Sequence, residues 1–162
     1  MNTILSDLMP SERIRRLLYI EKEGFSELLE SSGLLERFDM ATVSTKGMSV
    51  IAARQLIDYL AGQNPDFEVY ALVDFDITGT DILCTLTADT ERYTFRNYID
   101  VKQLGVTWEQ AQMLHERGLS EPVDIKGGAW GTYNRLIANG MDEDAAEFLS
   151  GDEPLRVELN AF

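Results

Sequence analysis

Along the chain, short continuous apolar runs alternate with longer stretches in which apolar residues recur every three or four positions. "RIRRLLYIEKEG" carries basic residues into an apolar run, which predicts a buried strand over 16–21 ending at Glu21, with Gly24 just beyond. "FSELLESSGLL" has helical spacing and a stop at "SSG"; "FDMATVST" reads as a second strand followed by "KG". "SVIAARQLIDYLAG" predicts the clearest helix, with Ser49 placed as its cap and Gly62 closing it. After the loop "QNPDFE", "VYALVDFD" is a nearly continuous apolar third strand, as expected for one covered on both faces. "TGTDILCTLT" then starts another helix.

Past Ala88 the pattern weakens. "RYTFRNYI" reads as a strand, "TWEQAQMLHERG" and "AAEFLS" as helices, and "PLRVELNAF" alternates like a strand. The cluster "KGGAWGTYNR", with basic residues, glycines and two aromatics, has a composition that suits a nucleic-acid contact, but the preferred reading is a loop anchored by Trp130 and Tyr133. Strands alternating with helices point to right-handed parallel β–α units. The expected fold is α/β: an open, mostly parallel four-stranded sheet with helices on both faces and an irregular helical C-terminal third. One domain is expected over 1–162, with a core over 16–100 and an extension over 101–162, and no repeat or low-complexity segment interrupts it.

Charge narrows the function classes. The chain of 162 residues holds 28 Asp and Glu against 14 Lys and Arg, a formal net charge of −14. Autonomous binding to nucleic acid needs basic surface, so a DNA-processing role requires a basic groove on another domain. Residues 140–162 carry seven of the acids and one arginine, which reads as a solvated acidic face. The single cysteine, Cys84, excludes an internal disulfide and a multi-cysteine zinc site, and is expected to be a small buried apolar residue. His115 is expected to meet the dipole at a helix C-terminus. No apolar run approaches the roughly 20 residues that span a bilayer, and the first residues lack the pattern of a secretory leader. A cytoplasmic protein without a membrane partner is the expectation.

Candidate chemistry concentrates in "YALVDFDITGTDIL", where an apolar strand ends in two aspartates one residue apart and then a glycine turn. In an open parallel sheet the reactive crevice lies beyond the carboxyl ends of the strands. Glu21 stands there on the first strand, Asp74 and Asp76 on the third. Residues two apart on a strand share a side, so the aspartates converge if the strand persists, and Glu21 joins them if the two strands are neighbours. Carboxylates this close raise each other's pKa unless a cation intervenes. Hard oxygen donors with open water positions suit magnesium better than zinc. The plainer alternative is that Asp76 caps the helix after Gly79.

"LYIEKEGF", "STKGMSVIAARQLIDYL" and "YALVDFDITGTDIL" together resemble the toprim domain of topoisomerase VI, in its A-type chain, and of the related meiotic double-strand-break protein. The resemblance runs from about Leu17 to about Leu86, with weaker echoes at "KQLGVTW" and "LRVELNAF". It implies a toprim, Rossmann-like fold, with Glu21, Asp74 and Asp76 forming a Mg2+ site and Glu21 also serving as general acid or base. Lys46 matches the lysine of that family's glycine–lysine–glycine turn, with Thr45 in place of the first glycine. The resemblance makes it, with Glu21, an expected catalytic residue placed to touch a DNA phosphate, and a solvated loop lysine is the alternative. Lys22 and Glu23 flank the site, whereas Asp81 reads as a first-turn helix acid. Ile77 and Thr78 stand where the family has proline and an aromatic residue. The implied partners are DNA through the parent protein, a second copy of the chain, and an ATPase B-type subunit.

The tyrosine that attacks DNA in those enzymes belongs to a winged-helix domain before toprim, and the chain has about sixteen residues before its first strand. The expectation is therefore a domain excised from a longer protein and inactive alone, with Tyr19, Tyr59, Tyr70, Tyr93, Tyr98 and Tyr133 in packing roles. Two rivals stand beside this reading. "DFDITGT" also resembles the first motif of haloacid-dehalogenase-like phosphatases, with Asp74 as nucleophile and Asp76 as acid and base. That family would need a late lysine from Lys102 or Lys126 and acids from "GDE" at 151–153, and it leaves Glu21 unexplained. The other rival is a non-catalytic toprim interaction module.

Overall fold

Four short strands lie side by side in parallel. They are β1 (Arg16–Ile20), β2 (Met40–Ser44), β3 (Glu68–Leu72) and β4 (Val101–Gln103), in the order β2-β1-β3-β4. The computed structural model describes residues 14–22, 24–44, 50–125 and 128–161. β1 is central, which is why Leu17, Leu18, Tyr19 and Ile20 are all buried. Ile20 pairs with Ser44 on one side and Leu72 on the other, so β1 and β3 end level with each other. At the opposite end of the sheet Glu68 accepts from Arg16 Nε at 2.9 Å and pairs with Lys102. Those bonds, Lys102 first and Arg16 second, hold the Glu68 carboxyl down to about 2.

Seven α-helices connect and flank these strands among the described residues: α1 (Phe25–Ser31), α2 (Leu34–Phe38), α3 (Val50–Gln63), α4 (Ile77–Thr87), α5 (Trp108–Glu116), α6 (Ala129–Ala138) and α7 (Glu143–Ser150). A two-stranded antiparallel ribbon, β5 (Glu121–Pro122) with β6 (Leu155–Arg156), and a 3-10 turn at Leu159–Ala161 complete the chain. The apolar positions separate into two cores. Tyr19, Ile57, Val69, Val73 and Leu86 belong to the first, with the sheet, α3 and α4; Phe75, Val106, Leu136, Leu149 and Val157 belong to the second, with the C-terminal helices. Val73 and Phe75 thus anchor the end of the third strand in both cores, and Asp74 and Asp76 alternate with them.

The parallel α/β sheet expected from the sequence is present, with four differences of detail. β3 stops at Leu72 rather than running to Asp76, because Phe75 leaves the sheet to bridge Val157 in antiparallel fashion. "RYTFRNYI" is not a strand. Buried side chains of α3 take over its backbone groups: Asp58 accepts from the Arg96 and Asn97 N–H groups, and Arg54 donates to the carbonyls of Ala88 and Tyr93. The fourth strand is instead Val101–Gln103. "AWGTYNRLIA" is a helix rather than an anchored loop, because Thr132 and Leu136 form a buried helical face. Trp130 remains 75% exposed and only stacks on Tyr133, at 6.0 Å between ring centroids. Finally, Gly62 lies inside the last turn of α3, which runs on to Gln63, and the Asn97 side chain lies against it.

Smaller expectations also change. Asp81 sits beyond the first turn of α4 and ion-pairs with Arg135, tying α6 to α4. Cys84 is half-buried, and burial pushes its thiol pKa up. His115 lies in the last turn of α5, as expected, with Nδ1 2.7 Å from Ser120 Oγ and its ring edge-on to Phe148. Ser49, the expected cap of α3, lies outside the described residues. No helix of the described residues is long and apolar enough to cross a membrane.

Candidate metal centre

The level ends of β1 and β3 bring the three predicted acids to one place. Glu21 is the first residue past β1, and its backbone N–H donates to the Leu72 carbonyl at 3.2 Å. Asp74 follows β3 by two residues, and its Oδ1 accepts the Leu159 N–H at 2.6 Å. Asp76 has extended backbone (φ −147°, ψ 177°) and stands at the N-cap of α4, where Oδ1 accepts the Gly79 N–H at 2.6 Å. The capping alternative therefore holds for one Asp76 oxygen, and capping and crevice geometry coexist in one side chain.

Glu21 and Asp76 both feel the neighbouring carboxylate charges. Glu21 is pushed up to about 7, first by burial and then by the charges of Asp76 and Asp74; a hydrogen bond from the Asp74 backbone and the Lys22 charge pull the other way. Asp76 is also raised, chiefly by burial, with the Gly79 amide opposing and Asp74 adding to the rise. Two cations temper the crevice. Lys22 Nζ lies 2.7 Å from Glu158 Oε2 and 3.7 Å from Asp74 Oδ2. Arg156 Nη2 lies 3.0 Å from Glu158 Oε1 and 3.0 Å from Glu121 Oε2.

As the side chains stand, no group of three or more His, Cys, Asp or Glu among the described residues is arranged to hold a metal ion. Each aspartate has one oxygen drawn to a backbone amide. Lys46 and Glu23, the other residues expected near the site, lie outside the described residues.

Three contributors escaped the sequence reading. Glu158 and the Leu159 N–H arrive from the far end of the chain, where "LRVELN" shows alternation and a weak family echo but singles out neither residue. Gly79 is the third. A Cβ there would fall well inside van der Waals contact of the Asp74 carbonyl oxygen, so only glycine lets α4 start this close to the strand tip. Gly79→Ala is expected to destabilise the chain by about 1–3 kcal/mol, read as a lower urea midpoint at unchanged slope. An unchanged midpoint would mean that the Asp74 carbonyl is free to move aside.

The rival phosphatase arrangement fails on placement. The aspartate pair follows β3 rather than opening the sheet. Lys102 is held by Glu68 at the start of β3, the end opposite to Asp74. Lys126 lies outside the described residues.

Residues 16–119 match the model of the topoisomerase 6 A-type/Spo11 family, in its toprim domain. The chain belongs to that family. Two curated relatives, both named meiotic recombination protein SPO11-2, come from Oryza sativa subsp. indica and subsp. japonica. Each is 25% identical over 130 residues, covering 76% of this chain and 33% of the relative. The chain thus spans about a third of the length of these relatives. The toprim match ends at residue 119, so α6, α7 and the Glu158 segment lie beyond it.

Proposed function

We propose that this toprim domain supplies a Mg2+ centre, built on Glu21, Asp74 and Asp76, to DNA strand cleavage and rejoining in a topoisomerase VI A-like protein. The observation that carries this reading is the meeting of Glu21 with both aspartates at two level, adjacent strand tips, where burial and mutual repulsion push the glutamate up to about 7. The donor chemistry fits once these side chains turn toward a shared ion: three carboxylates just past two strand ends offer hard oxygens that suit Mg2+, and no cysteine or histidine is among them. When bound, the ion would neutralise and orient phosphate oxygens. Glu21 is further proposed to give or take a proton as the sugar oxygen leaves or returns.

The nucleophile is proposed to come from outside this domain. Tyr19 points into the first core at 1% exposure, and Tyr93 is engaged with Asp58 and Arg54. DNA affinity is likewise assigned to basic surface elsewhere in the parent protein, because the chain's net charge is −14.

Mg2+ or Mn2+ is expected to raise the melting temperature of the chain, as any ligand selective for the folded state does. The Asp74→Asn, Asp76→Asn double variant should lose that gain while still folding, because asparagine oxygens can accept the same Leu159 and Gly79 amides. A melting temperature indifferent to both ions in the parent chain would overturn the proposal.

A further inference from the structure

The last described segment of the chain is built into the strand tips. Phe75 and Val157 exchange two backbone hydrogen bonds, at 2.9 and 3.0 Å, and Leu159 N–H reaches Asp74 Oδ1. Between these anchors Glu158 draws in two cations, Lys22 on one oxygen and Arg156 on the other. Lys22 is the residue next to Glu21, and its ammonium is hydrogen-bonded to Glu158 at 2.7 Å while forming a looser ion pair with Asp74 Oδ2 at 3.7 Å. A lysine in such a crevice is a potential competitor for any divalent cation, because it can neutralise the same carboxylate.

We infer that Glu158 is a positioning residue: by holding the Lys22 ammonium, it keeps that group out of direct hydrogen-bonding contact with Asp74 Oδ2, in a looser ion pair that a divalent ion can displace. Its anchoring makes it suitable, since residues 157 and 159 on either side are both fixed to the Phe75–Asp74 backbone and side chain. Arg156 fills the second Glu158 oxygen and is itself tethered to Glu121, so the carboxylate is braced from both sides. The inference rests on the metal reading above. It assigns a function to a segment beyond the matched toprim residues.

The test is Mn2+ affinity of the full chain, read by electron paramagnetic resonance, with circular dichroism to verify folding. Glu158→Gln is expected to weaken Mn2+ binding about tenfold, as a unit charge closes from the observed separation to direct contact with Asp74. Adding Lys22→Met to that variant should return the affinity to the parent value or tighter, because the competitor is gone. Lys22→Met alone should bind Mn2+ at least as tightly as the parent chain. A purely structural role for Glu158 gives the opposite pattern, with the double variant no better than Glu158→Gln. No change in Glu158→Gln, no rescue, or weaker binding by Lys22→Met each overturns this inference while parent binding leaves the metal reading standing. Absence of Mn2+ binding by the parent chain overturns both.

Discussion

Asp58→Ala is expected to destabilise the chain by about 3–5 kcal/mol, the cost of breaking a buried charged network by removing one member. Asp58 is 4% exposed on α3, and its carboxylate accepts from Tyr93 Oη at 2.8 Å, Asn97 Nδ2 at 2.8 Å, and the Arg96 and Asn97 amides. Burial works against its charge, yet the bonds from Asn97, Tyr93 and the two amides outweigh it, and the carboxyl sits below its ordinary value. Its contribution is therefore present above the unfolded pKa and fades as the pH falls through the lowered folded one. One turn earlier, Arg54 is 1% exposed, bonded to Thr90 and the Ala88 carbonyl, and packed against the rings of Tyr93 and Phe95. These two side chains replace the ladder that a strand over "RYTFRNYI" would have made. Alanine at 58 strands several donors at once. Urea denaturation checks this; a loss below about 1 kcal/mol would mean that water serves the donors equally well.

The second large effect has the opposite sign. Glu21→Gln is expected to stabilise the chain at neutral to alkaline pH in chelator-containing buffer. Glu21 has its folded pKa raised to about 7 from an ordinary 4.5, first by burial and then by Asp76 and Asp74. The folded state holds this proton more tightly than the unfolded state, so the favourable contribution is complete below pH 4.5 and is lost as the pH rises through 7. Glutamine removes that loss. After allowance for partial solvent screening, the gain at pH 8 should be on the order of a few degrees in melting temperature, and it should shrink towards pH 5. The same variant should weaken the Mg2+ and Mn2+ effect. A melting difference that does not depend on pH would show that Glu21 titrates normally. A strand-tip acid that costs stability by its charge is the expected signature of a site kept for chemistry rather than for folding.

The fold core was legible because its elements are determined locally. β1, β2 and β3 are apolar runs, and α3 and α4 have helical periodicity, so each announces itself within a dozen residues. The acids were legible for the same reason: in a parallel sheet, a carboxylate ending an apolar run has one destination. Where sequence reading failed, distant side chains had overridden local preference. The stretch 92–99 has aromatic residues suited to a strand, but Asp58 and Arg54, more than thirty positions earlier, hold its backbone. α6 was obscured by the glycines at its start, although Thr132 and Leu136 do carry a helical spacing.

Residue order alone settled the parallel α/β frame and the identity of the acidic residues beyond two of its strands. It took the folded arrangement to make those strands neighbours ending level, to let α4 approach the Asp74 carbonyl at Gly79, and to close Glu158 and Leu159 over the crevice. The reason is range. Periodicity records burial over a few residues, whereas the charge balance at a strand tip is set by residues 136 positions apart, as Lys22 and Glu158 are, and nothing in local pattern encodes that encounter.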